Sequence, residues 1–129
     1  MSEPTVLLLD DDVNTLLVLH AILERTKARV IECESENSVL RASTGCPNSI
    51  DLMVADVVLP ESSGPEVVRK VKPMQPSMRQ LFISGYSLAE LLRRGLIRDE
   101  DLQFGEAQFL QKPFTAEAFL TSVQNLLPS

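Results

Sequence analysis

Apolar and polar positions along the chain divide it into alternating strand-like and helix-like segments. Val6-Leu7-Leu8-Leu9 is an unbroken apolar run that ends in acids. A strand buried on both faces of a parallel sheet has this pattern. Residues 14–27 then change to helical spacing. Within them Thr15, Val18, Leu19 and Ile22 recur at i, i+3, i+4 and i+7 and are expected to face the sheet. That leaves Leu16, Leu17 and His20 on a partly exposed side. Residues 29–34 predict a second, more exposed strand. Residues 35–44 predict a helix, with Ser35 as its cap and Gly45 as its stop.

Residues 51–56 are a third strand, again apolar and again ending in an acid, Asp56. A loop over 59–64 leads to a helix with Pro65 in its first turn, an apolar side at Val67, Val68 and Val71, and a stop at Pro73. Leu81-Phe82-Ile83 is a fourth strand. Ser87-Leu88-Ala89-Glu90 has the spacing of a capping box, and Leu88, Leu91 and Leu92 continue at helical spacing to Gly95. Residues 96–105 carry no clear pattern. Residues 107–110 are a fifth strand. Thr115 caps a last helix, with Leu120, Val123 and Leu127 on one face. Strand and helix alternate five times with no repeat and no linker. The expected fold is α/β, a parallel sheet with helices on both faces, and one domain over 1–129 with its core about 4–127.

Composition narrows the function. Of 129 residues, 44% are hydrophobic and 23% charged, ordinary for a globular chain. No apolar run is long enough to span a bilayer, and Glu3 and Pro4 stand where a secretory leader needs basic and apolar residues. Acids outnumber bases 18 to 12, a net charge of −6, which argues against direct nucleic-acid binding. Cys33 and Cys46 have neither metal nor redox spacing, and His20 is the one histidine. A zinc site of the usual kind cannot be assembled, and both thiols are expected to be reduced, as in the cytoplasm.

Ligands of open parallel sheets bind beyond the carboxyl ends of the strands. Here those ends carry Asp10-Asp11, Asp56, Ser84 and Lys112. Asp10, Asp11 and Asp56 crowd one place if the first and third strands are neighbours, and crowded carboxylates need a cation. A hard divalent ion such as Mg2+ meets that need, with a phosphoryl oxygen able to complete its shell. An aspartate is itself a possible phosphoryl acceptor. Lys112 would add positive charge and Ser84 a hydroxyl donor. Taken alone, the acidic run reads equally well as a solvated helix start; the combination at strand ends does not.

Four segments carry a resemblance that extends over essentially the whole chain. They are Val6 through Asp12, Asp51 to Pro60 around Asp56-Val57-Val58-Leu59-Pro60, Phe82-Ile83-Ser84-Gly85-Tyr86, and Phe109-Leu110-Gln111-Lys112-Pro113-Phe114. In this order the chain resembles the response-regulator receiver domain of two-component signalling. The resemblance implies a flavodoxin-like (βα)5 fold with strand order 2-1-3-4-5. It implies Asp56 as phospho-acceptor, and Asp11, Asp56 and the backbone carbonyl of Val58 as Mg2+ ligands. Asp10 would hold the metal through water, and Asp12 would not be a ligand. Ser84 would be the switch hydroxyl, Lys112 the phosphoryl-pairing lysine, Phe109 the aromatic switch position and Pro113 a cis-proline.

The implied reaction is transfer from a phosphohistidine on a histidine kinase or histidine phosphotransfer domain, with the domain itself an acceptor rather than a turnover enzyme. His20 is not expected to be the donor. Twenty-five residues separate Ser84 from Phe109, with the surplus expected in 95–105. This long form is similar to receivers attached to hybrid sensor histidine kinases, whose parent protein can be membrane-anchored. A stand-alone regulator is the rival. The expected state is a cytoplasmic monomer or weak dimer with no output segment. Leu16, Leu17 and His20 are a candidate docking patch for the partner's histidine-bearing helices. Val58 and Tyr86, two residues beyond Asp56 and Ser84, imply slow self-dephosphorylation. The alternatives are a Mg2+-dependent phosphohydrolase with an aspartyl nucleophile, a pseudo-receiver, or a flavin-binding module. The first lacks an acid two residues after Asp56, and an intact acidic pocket argues against the others.

Overall fold

A computed structural model of the protein describes residues 3–102 and 106–128. Five strands and five helices alternate: β1 (Thr5–Leu9), α1 (Val13–Leu23), β2 (Arg29–Cys33), α2 (Glu36–Ser43), β3 (Leu52–Asp56), α3 (Gly64–Val71), β4 (Arg79–Ser84), α4 (Leu88–Arg93), β5 (Ala107–Gln111) and α5 (Ala116–Leu126). The strands form one parallel sheet in the order β2-β1-β3-β4-β5. Each strand-to-strand crossover carries a helix, which is how parallel neighbours are connected. The chain leaves β1 in one direction for β2 and returns on its other side for β3, so the order reverses between β1 and β3.

Alternation along the strands divides the core into two. Leu7, Leu9, Met53, Ala55 and Phe82 point to one face and pack with Val39 of α2, Val67 and Val71 of α3, and Leu91 of α4. Val6, Leu8, Leu52, Val54, Leu81 and Ile83 point to the other and pack with α1 and α5. A strand covered on both faces has no polar side to show, which is why β1 and β3 read as continuous apolar runs.

Every helix begins on an oxygen side chain that accepts a hydrogen bond from an otherwise unpaired backbone N–H: Asp12, Ser35, Ser63, Ser87 and Thr115. Each such cap is worth about 1 kcal/mol. Gly45 and Gly95 follow α2 and α4 at φ 92° and 71°, a left-handed conformation that glycine adopts without a Cβ clash. The connection after α4 makes a single 3-10 turn over Asp99–Leu102. Asp101 fixes it to α3 by accepting from Arg69 Nη2 at 2.8 Å, and closes the turn itself by accepting from the Arg98 amide at 2.8 Å. The extra length expected between Ser84 and Phe109 therefore does not extend α4, which has only six residues. The 103–105 part of that expectation lies outside the described residues.

Two helix faces differ from the sequence expectation. The buried stripe of α1 is Leu16, Leu19 and Leu23, whereas Val18 is 58% exposed. Leu16 is 1% exposed and so cannot belong to a docking patch. Thr15, Leu16, Leu17, Val18 and Leu19 offer apolar groups in almost every direction, so spacing alone does not select the buried side. His20 lies at the edge of α1 with its Nδ1 on the Glu32 carboxylate of β2. On α5 the buried stripe is Phe119, Val123 and Leu126, with Leu120 and Leu127 only partly covered. The larger Phe119 ring, stacked on Phe114 at 5.7 Å, takes the inner position.

Leu16→Ala is expected to lower unfolding free energy by about 2–5 kcal/mol. Val18→Ala should change it by less than about 0.5 kcal/mol. Urea denaturation of the two variants measures the difference.

Candidate phosphoryl-acceptor site

The register of β1 on β3 pairs Leu9 with Ala55. One step further along both strands, Asp10 and Asp56 stand side by side at the sheet's carboxyl edge, where the strand order reverses. Asp10 is 1% exposed. Its amide donates to the Cys33 carbonyl at 3.2 Å, and its Oδ1 accepts from the Asp12 amide at 2.9 Å. Asp11 is exposed, and Asp12 turns away to cap α1. One oxygen from each of Asp10, Asp11 and Asp56 can be chosen so that all lie within 4.8 Å of one another.

Lys112 supplies the opposing charge. It follows β5, and β4 lies between β5 and β3, so its backbone is roughly 10 Å from β3 at ordinary strand spacing. Only a long side chain can bridge that gap. Its amide donates to the Ser84 carbonyl at 2.8 Å, which fixes the starting point. Its Nζ then reaches Asp10 Oδ2 at 3.2 Å and Asp56 Oδ2 at 3.5 Å. The Lys112–Pro113 peptide bond is cis.

The electrostatics follow from this crowding. Burial pushes the Asp56 carboxyl up to about 6; the Lys112 ammonium pulls it down, Asp10 pushes it up again, and the Val58 amide at 3.3 Å pulls it down. For Lys112, burial favours the neutral amine, but Asp56 and Asp10 together outweigh it and hold the ammonium above its usual range. Three carboxylates and one ammonium leave excess negative charge in a small space. The donor set is all oxygen, which fits a hard divalent cation.

Ser84, 1% exposed, accepts at its Oγ from the Tyr86 amide at 3.1 Å. Among the described residues the hydroxyl proton meets no acceptor. Phe109 is partly buried against the core of the α3 and α4 side. Cys33, paired with Leu9 across the β1–β2 register, is buried, and burial pushes its thiol up to about 11, too high for thiolate chemistry at neutral pH. The structure thus brings Asp10, Asp11, Asp56, Ser84 and Lys112 to one edge. Val58 lies on the same edge and is exposed.

Sequence reasoning missed Gly64, the first residue of α3. A Cβ there would lie 2.5 Å from the Asp56 carbonyl oxygen and 3.3 Å from Ala55 Cβ. The only signal was a glycine just before a helix, which the chain shows in no special form.

The response regulator receiver domain model matches residues 6–124. The sensor kinase CckA of Brucella abortus is 31% identical over 123 residues, covering 95% of this chain and 12% of that kinase. The response regulator protein TodT of Pseudomonas putida is 29% identical over 127 residues, covering 95% of this chain and 50% of that regulator. The chain therefore spans half or less of these curated relatives. Among solved structures, a receiver domain from Clostridium thermocellum superposes with a TM-score of 0.77 at 26% identity, covering 95% of this chain and 93% of that one. The receiver domain of the hybrid histidine kinase CckA superposes with a TM-score of 0.75 at 23% identity, covering 95% and 98%.

The raised Asp56 pKa sets a sign for stability in metal-free protein. A carboxyl raised on folding adds stability that is complete below its unfolded value of 3.8 and is lost as pH rises through about 6. Relative to Asp56→Asn, wild type should become less stable between pH 4 and pH 8, by on the order of 2–3 kcal/mol. Denaturation in the presence of a chelator across that range checks both sign and window.

Proposed function

The chain belongs to the response regulator receiver domain family, whose function is to accept a phosphoryl group in two-component signalling, and we propose on that premise that Asp56 is the accepting residue. The observation that supports it is the joint reach of Lys112 to Asp10 and Asp56, with Asp11 closing the acidic set. The donor is a phosphohistidine on a histidine kinase or histidine phosphotransfer domain. An Asp56 carboxylate oxygen attacks phosphorus; the P–N bond breaks, a P–O bond forms, and the imidazole leaves with its electron pair. Lys112 neutralises charge on the phosphoryl oxygens and holds Asp56 for in-line attack.

Asp10, Asp11, Asp56 and the Val58 carbonyl would hold Mg2+, which when bound supplies charge neutralisation between the acceptor and the phosphoryl group. Phosphorylation replaces one negative charge on Asp56 with about two. The Ser84 hydroxyl, whose proton meets no acceptor among the described residues, then has a strong acceptor to move toward. Movement there would draw on α4, four residues on, and on the packing around Phe109. A phosphohydrolase is not favoured, because Val58 stands where an acid would protonate the leaving group. A pseudo-receiver is not favoured either, since the full acidic set and its lysine are present.

The docking surface expected at Leu16, Leu17 and His20 keeps Leu17 and loses the buried Leu16. Val13, Leu17 and Val18 are the exposed apolar residues of α1, and Val58 and Tyr86 are the others around the acidic edge. Such a rim suits apolar helices that carry the donor histidine. No helix among the described residues is long and apolar enough to cross a membrane. The likeness to CckA and the long β4–β5 connection support a hybrid-kinase parent, with this domain on the cytoplasmic side.

Incubation with Mg2+ and acetyl phosphate should add one phosphoryl group per chain, seen by intact mass, and none to Asp56→Asn. The label should decay slowly, because apolar Val58 cannot orient a hydrolytic water; loss as fast as in chemotaxis-type receivers would contradict this. Sustained turnover would instead indicate a hydrolase.

Leu17→Arg or Val18→Arg should slow phosphotransfer from a phosphohistidine donor by about tenfold, the effect of losing about 1.4 kcal/mol at an interface. Labelling by acetyl phosphate should stay unchanged.

A further inference from the structure

We propose that Gly64 is a positioning residue for phosphoryl acceptance, acting by the absence of a side chain. This inference rests on the reading of Asp56 as the acceptor.

Gly64 is buried at the start of α3, and its neighbour Pro65 is buried with it. Its φ is not in the left-handed region, so backbone freedom is not what the position demands. What it demands is space. A Cβ would lie 2.5 Å from the Asp56 carbonyl oxygen, 3.2 Å from the Asp56 carbonyl carbon and 3.3 Å from Ala55 Cβ. The first two contacts are to backbone, in a strand bonded on both sides, and cannot be relieved by rotating a side chain. The first turn of α3 is therefore seated directly on the peptide unit of Asp56.

The same glycine closes the loop that follows the acceptor. The Gly64 amide donates to the Val57 carbonyl at 3.0 Å, Val58 bridges Ser63, and the Leu59 amide donates to the Ser62 carbonyl at 3.3 Å. The Ser63 hydroxyl accepts from the Glu66 amide at 3.2 Å and holds the helix start in place. One close contact thus sets two things at once: where the Asp56 carboxylate stands relative to Asp10 and Lys112, and where the Val58 backbone stands relative to both. A methyl at position 64 must push α3 outward or the end of β3 inward. The inward shift moves Asp56 itself, and the outward one pulls on the Val57–Val58 loop bonded to Gly64 and Ser63; displacements of about an ångström or less are the scale on which positioned groups lose function.

The test compares variants below their unfolding midpoints. Gly64→Ala is expected to weaken Mg2+ binding by calorimetry, and beryllofluoride binding by NMR, by about tenfold or more. In the metal-free protein it should shift the Val57 and Val58 amide resonances. Because Gly64→Ala can also lower stability, a second pair separates positioning from stability. Ser63→Ala and Thr115→Ala each remove a helix cap, one at the seat and one on α5. Both should lower the unfolding midpoint by similar amounts, while only Ser63→Ala should weaken Mg2+ binding, by about threefold. The proposal is overturned if Gly64→Ala folds and binds Mg2+ as wild type does. It is equally overturned if the two cap variants affect Mg2+ binding alike. Failure of wild type to take up phosphate from acetyl phosphate would instead remove the reading of Asp56 on which the proposal rests.

Discussion

Two carboxylates on neighbouring strand ends must share a single ammonium. Asp10 and Asp56 are set side by side by the β1–β3 register, and Lys112 reaches both from the far side of β4. Water is largely excluded from Asp10, so its charge is tolerable only because that ammonium and the Asp12 amide face it. The other arrangements follow from keeping this group together. The strand order must reverse between β1 and β3, β5 must end one residue before a lysine, and Ser84 must anchor that lysine's backbone. Removing the ammonium from this group would leave both carboxylates uncompensated, which is costlier than never having had the pair.

Much of the fold was legible because buried parallel strands leave an unambiguous trace. β1 and β3 are apolar runs closed by an acid, and no helix among the described residues imitates that. Ser35, Ser87 and Thr115 were readable as caps because each precedes a run at helical spacing. The faces of α1 and α5 were not legible in the same way. Residues 15–19 of α1 are nearly all apolar or small, so several stripes fit the spacing equally, and packing against the sheet and α5 buries Leu16, Leu19 and Leu23. On α5 the choice between Leu120 and Phe119 depends on Phe114, a neighbour that no local pattern identifies.

The acidic site was legible at the level of residue type and strand end, and its geometry was not. That Lys112 contacts both Asp10 and Asp56, rather than one, depends on side-chain reach across β4. Gln75 was invisible for a related reason: fully buried, its amide nitrogen donates to the Ser43 and Cys46 carbonyls and its oxygen accepts from Ile50. It fastens the loop before β3 to the loop before β4. Such a role belongs to loops that meet only in three dimensions. A glycine that works by leaving space, as Gly64 does, gives no chemical sign at all.

Three identical residues in a row, Asp10, Asp11 and Asp12, occupy three unlike environments. The first is buried against a lysine, the second projects into solvent beside it, and the third closes the end of a helix. They are chemically the same and positionally not interchangeable. Loss of one aspartate by a codon deletion would leave the neighbouring apolar patterns intact and the sequence superficially unaltered. Yet one of the three places would fall to a valine. Over this stretch, heredity has to preserve a count as strictly as a composition.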